Sequence, residues 1–248
     1  MSSASQNEQS AWLAAMQLAS PALPIGGFSY SQGLEAAVAA QIVTDTHTAQ
    51  KWCLDAAQVF AQCEAVVFAA QYQAWNTIDA EHLQAQNDWF FASRETAELR
   101  LETQQMGWSM VRLVSQNHWG SDALRQTLGD LNNPALPTVF AAAAVALSIP
   151  LPQALAAYGF SWAENQVAAA IKAVPLGQQA GQTVLNALRA ALPELLNEAQ
   201  NKATKSSNLG QQAFTIPVTA FNTINTFSPH LAILSSRHET QFTRLFRS

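Results

Sequence analysis

Apolar positions recur along this chain at intervals of three and four, and nowhere do β-branched residues alternate with polar ones over a sustained run. Ala, Leu, Gln and Glu dominate, and all four favour helix. The pattern therefore predicts an all-α, single-domain helical bundle of about ten helices with no sheet. Helices are expected over residues 11–18, 30–40, 46–75, 81–92, 96–116, 122–128, 138–147, 152–173 and 178–192, with a shorter one within 217–234. In the helix from Thr96, Leu99, Thr103, Met106, Met110 and Leu113 share one face, which leaves Glu98 and Glu102, beside Arg94 and Arg100, on a solvated charged face. The helix from Pro152 carries apolar residues on several faces, so it belongs at the centre or beneath a partner. Residues 201–210, NKATKSSNLG, read as a mobile polar loop.

The carboxyl-terminal end breaks the usual pattern, because a free terminus is ordinarily plain and polar. Here three of the eight arginines, Arg237, Arg244 and Arg247, edge Leu231, Leu234, Phe242, Leu245 and Phe246. Burying such side chains returns about 1.5–3 kcal/mol each, against about 1–2 kcal/mol per residue for fixing the backbone. On apolar burial alone the tail gains order only by docking on a second polypeptide. This divides the chain into a flexible lead-in (1–10), a helical domain (11–234) and a partner-binding tail (235–248).

Composition sharpens that division. Charged residues are only 12% of the 248, well below the ~25% of an ordinary soluble domain, as expected of a surface partly covered by other chains. Residues 1–130 hold thirteen acids and five bases, and residues 131–248 four acids and seven bases, so the two parts differ in sign. Scattered bases and a pI near 5.5 do not make a nucleic-acid footprint. No secretory signal opens the chain. The apolar run 136–151, bounded by prolines, is too short for a bilayer span. Cys53 and Cys63 lie ten apart and on different faces of a continuous helix, which suits neither a disulfide nor a metal pair. Two free thiols fit a reducing, cytoplasmic location.

Convergent reactive groups are absent: the sequence has no GxxxxGK[ST], HExxH, CxxC or GxSxG. His47, His82, His118, His230 and His238 are dispersed, and none forms an i,i+4 metal pair. No enzyme activity, cofactor or metal site is expected. An all-α enzyme built on Glu98, Glu102 and His118 would require a buried, perturbed carboxylate. Two segments are over-specified. Residues 18–35, LASPALPIGGFSYSQGLE, form an elbow in which Ser29 and Gln32 resemble a capping box. Residues 174–182, VPLGQQAGQ, form a corner between helices.

Together with Arg94 to Gly107, ending Gln105-Met106-Gly107, the stretch Gly159 to Gly177, and the terminal Arg237-His238-Glu239 and Arg244-Leu245-Phe246-Arg247-Ser248, these segments closely resemble the urease accessory protein UreF family, over nearly the whole chain. The resemblance implies a dimeric cytoplasmic protein, not an enzyme, that joins UreD (also called UreH) and the GTPase UreG on apo-urease during assembly of the nickel centre. Direct regulation of the UreG GTPase cycle, with Lys172 or Arg112 approaching nucleotide, is the alternative. Carried over by position, Tyr30, Lys172, Arg237, His238, Glu239, Phe242, Arg244, Leu245, Phe246 and Arg247 are the partner-binding residues. The chain departs from the family in having Lys172 rather than arginine before the corner, which weakens any bidentate contact there, and in lacking the usual glycine after Phe140.

Overall fold

The computed structural model describes residues 3–210, 224 and 228–247, and within the first of these the side chains of 6–204. The described residues form eleven α-helices and one 3-10 turn, with no strand among them. α1 (Ser3–Ala19) leads into the elbow, whose 3-10 turn Gly27–Ser29 precedes the short α2 (Leu34–Ala39). Then come α3 (Thr46–Gln62), α4 (Glu64–Thr77), α5 (Ala80–Ala92), α6 (Ala97–Gln116), α7 (Asp122–Asp130), α8 (Leu136–Ala146), α9 (Leu151–Ala173), α10 (Gln178–Gly210) and α11 (Pro229–His238).

Most helix starts follow from local chemistry. Asp45 and Thr48 make a reciprocal capping box at α3, and Asp79, Thr96 and Ser121 accept from the first-turn amides of α5, α6 and α7. Other boundaries differ from expectation. α1 begins at Ser3, so the lead-in is helical from that residue. The apolar stretch 46–75 is two helices that meet at Cys63, where φ is −121° and ψ −76°. No proline or glycine marks that break. Residues 46–77 are long and apolar enough to cross a membrane by length and composition, but 56% of their most apolar window is buried within the protein. α10 runs through Pro193 and on to Gly210, so residues 201–210 are helical rather than a loop. Pro193 removes one internal hydrogen bond, and packing along α3, α4 and α9 carries the helix past it. The helix expected within 217–234 is found at Pro229–His238; residues 217–223 and 225–227 lie outside the described residues.

α8 is the centre of the bundle, its four alanines Ala141 to Ala144 fully buried between α4 and α6. Small side chains there let helices approach closely. Around them the rings of Phe68 and Tyr158 stack at 4.8 Å and Phe140 tilts against Tyr158 at 4.8 Å. Trp75 Nε1 donates to the Thr138 carbonyl at 2.8 Å, which satisfies the indole in the core. α9 crosses this centre with α1 on its outer side, and brings Trp162, Gln166 and Lys172 beneath the elbow.

Candidate functional site

The elbow turns on two left-handed glycines, Gly26 (φ 81°) and Gly33 (φ 82°), and on Gln32, which adopts φ 51°. A non-glycine residue in that region is held by its surroundings. Gln32 Nε2 donates to Glu102 Oε1 at 2.7 Å, while its Oε1 accepts from Trp162 Nε1 at 3.0 Å and Gln166 Nε2 at 2.9 Å. Ser29 and Gln32 thus form no capping box; Gly33 stands at the start of α2, and Ser31 Oγ accepts from the Glu35 amide at 3.3 Å. Tyr30 is buried and donates to Gln105 Oε1 at 2.6 Å. Burial pushes its hydroxyl up, with Arg247 opposing.

Against this elbow lies the carboxyl-terminal segment, folded onto its own chain. Glu35 organises it: it accepts from the amides of Leu245 (2.8 Å) and Phe246 (3.0 Å) and from Gln241 Nε2 (3.1 Å), and His238 Nε2 faces it at 3.1 Å. Glu98 faces the other ring nitrogen, Nδ1, at 2.8 Å and binds Arg244 Nη1 at 2.8 Å. His238 is fully buried, and an imidazole donates from both nitrogens only when protonated. Glu239 adds a cap in trans, its Oε1 accepting from Ala97 N at 2.9 Å and Glu98 N at 3.4 Å at the start of α6. Thr96 and Ser235 hydroxyls meet at 2.8 Å.

These bonds correct two readings of the sequence. Glu98 and Glu102 are buried and engaged rather than a solvated face. The tail reaches order on its own body, because charge-assisted bonds to Glu35 and Glu98 add to the apolar term that alone fell short. The residues singled out separate accordingly. Tyr30, His238 and Phe246 point inward, whereas Arg237, Phe242, Leu245 and Arg247 are exposed. Lys172 lies 5.7 Å from the Phe28 ring centroid and 5.5 Å from that of Phe246, a cation held between elbow and tail. Glu35, Gln32, Gln105 and Glu98 were not legible as a unit, since their partners are 70 to 211 positions away. A carboxylate beside a buried stripe in so charge-poor a chain was the available signal.

A second buried cluster sits at the α3–α4 break. The Tyr158 hydroxyl donates to Glu64, with Arg94 Nη1 at 3.9 Å from Glu64 Oε2 and Arg94 Nη2 at 3.1 Å from Cys63 Sγ. Burial pushes the Glu64 carboxyl up and the Tyr158 hydroxyl well up. Among the described residues no group of three or more His, Cys, Asp and Glu is placed to hold a metal ion. On the opposite side α1, α9 and α10 enclose an apolar groove of about 750 Å³, lined by Trp12, Met16, Phe160, Leu192 and Leu196. Glu164 and Arg189 also line it.

Comparison with known proteins agrees with this architecture. A family model described as UreF matches residues 43–189. The urease accessory protein UreF of Cupriavidus metallidurans is 53% identical over 234 residues, 94% of this chain and 96% of that protein. This chain belongs to the UreF family. UreF proteins of Polynucleobacter asymbioticus (95% of this chain, 96% of that protein) and Ralstonia pickettii (95% and 96%) are each 48% identical.

Proposed function

We propose that this protein is an adaptor in urease maturation, which joins UreD and the GTPase UreG on apo-urease while nickel is inserted. The observation that carries this reading is the carboxyl-terminal segment: it is held onto its own chain through Glu35 and Glu98, yet Phe242 and Leu245 stand in solvent, and Arg237 and Arg247 of the same segment are exposed. Large apolar side chains presented on a rigid base are what a protein interface needs. Nickel passes as cargo, and the chain acts by binding partners rather than by chemistry.

The groove between α1, α9 and α10 is the self-association surface in this reading. Trp12, Leu13 and Met16 form an exposed ridge along its edge. A two-fold axis would lay each ridge in the facing groove and set Glu164 of one copy against Arg189 of the other.

Reconstitution tests the adaptor. Apo-urease, UreD, UreG, nickel and GTP are expected to yield active urease only with this chain, and Phe242→Asp with Leu245→Asp is expected to abolish activation while leaving helix content unchanged. Full activation by that double variant would refute the assignment.

A further inference from the structure

Beyond the tail, α6 carries exposed apolar residues that the fold does not use. Leu101 is 50% exposed and Trp108 41% exposed. Both share a helix stripe with Gln105, four residues after Leu101 and three before Trp108, and Arg112 follows four residues later. Gln105 is the point of contact with the tail: its Oε1 accepts from Arg247 Nη1 at 3.4 Å as well as from Tyr30. The Arg247 amide in turn donates to the Ser29 carbonyl at 2.8 Å, beside the exposed Phe28. Stripe, tail and elbow tip therefore meet.

Charge gives this surface a sign. The chain carries −5 overall, but Glu35, Glu98 and Glu102 are buried and bonded inward, and the half-buried Glu239 is held on the Ala97 and Glu98 amides. Arg112 and Arg247 remain exposed. A net-acidic protein thus turns a locally basic, aromatic-rich face outward. Exposed apolar side chains rimmed by one sign of charge are matched by an apolar patch rimmed by the other.

We infer that α6, through Leu101, Trp108 and Arg112, continues the docking surface of the carboxyl-terminal segment and takes the same partner, which presents an apolar patch rimmed by carboxylates. This rests on the reading that the segment docks UreD, and makes α6 a second contact on that one protein. The indole supplies the large buried area typical of interface anchors, and the two arginines set orientation and encounter rate.

Affinity for purified UreD, measured by calorimetry at two salt concentrations, tests both statements separately. Trp108→Asp and Leu101→Asp, in full-length protein with an unchanged melting temperature, are expected to weaken binding at least tenfold. Arg112→Glu is expected to flatten its salt dependence. Phe242→Asp serves as the tail control. Loss in both sets supports the continuous surface. Loss in the tail variant alone, with α6 variants binding as wild type, overturns the inference and leaves the tail assignment standing. No loss in either set overturns both, and loss in α6 alone overturns the tail assignment together with the continuity argued from it. Should an α6 aspartate variant fold poorly, Trp108→Gln and Leu101→Gln, which keep a half-exposed side chain without adding charge, decide in its place.

Discussion

His238 concentrates the energetics of the site in one residue. It is fully buried with a carboxylate on each ring nitrogen, and removing one partner of a buried ionic network leaves the others uncompensated, at about 3–5 kcal/mol. His238→Ala is therefore expected to lower unfolding free energy by about that amount in urea denaturation, whereas Phe242→Ala, fully exposed, should leave it unchanged. Gly107 is constrained in another way: a Cβ there would lie 1.9 Å from the Pro134 carbonyl oxygen. Gly107→Ala must push α6 away from that loop and should cost at least ~1–3 kcal/mol, read from the same titration. The two cysteines are free and buried, and burial pushes the Cys53 thiol up to about 12. Neither is expected to react with a thiol reagent at pH 8 until the protein unfolds. Since the unfolded thiol ionises near 9 and the folded one near 12, the native state holds the extra proton between those values. The stabilisation that comes from keeping the Cys53 thiol protonated is complete below pH 9 and is lost as pH rises toward 12.

At the scale of elements, the carboxyl-terminal segment works as a clasp. Glu239 caps α6, Ser235 meets Thr96 at the same helix start, and Glu35 of α2 takes the amides of Leu245 and Phe246, so one stretch ties together two helices that are remote in sequence. Truncation after Ser235 is expected to lower the melting temperature and expose Glu35 and Glu98, rather than to leave the remaining fold untouched. Circular dichroism melts of the truncated and full chains measure the difference. Much of the element pattern was legible beforehand, because caps such as Asp45, Asp79, Thr96 and Ser121 announce helix starts and apolar spacing announces their faces. The break at Cys63 was not, as no helix-breaking residue stands there, and Pro193 with the polar run after it suggested an end that packing along α3, α4 and α9 overrides. The tail's apolar, arginine-edged pattern stood out in the sequence. The tail's order was missed because apolar burial was weighed without Glu35, whose bonds form only in the folded chain.

For the whole molecule, the sparse charge takes on a spatial meaning. Glu35 and Glu98 of the acidic amino-terminal portion turn inward to receive the carboxyl-terminal segment, so charges of the two portions meet within one chain. Among the described residues, apolar surface stays outside at the α1–α9–α10 groove, at the face made by tail, elbow and α6, and singly at Ile42 and Ile233. Met16→Asp in the groove is expected to convert a dimer to a monomer in sedimentation while leaving UreD capture by the monomer intact, which separates the two surfaces. On the adaptor reading, the partner-facing surface forms before any partner arrives. Hydrogen exchange of the Leu245 and Phe246 amides in the isolated protein tests it most directly. Both donate to Glu35, so protection well above that of an unstructured terminus is expected, falling in Glu35→Gln. Exchange at the free-chain rate in the isolated protein would contradict the account.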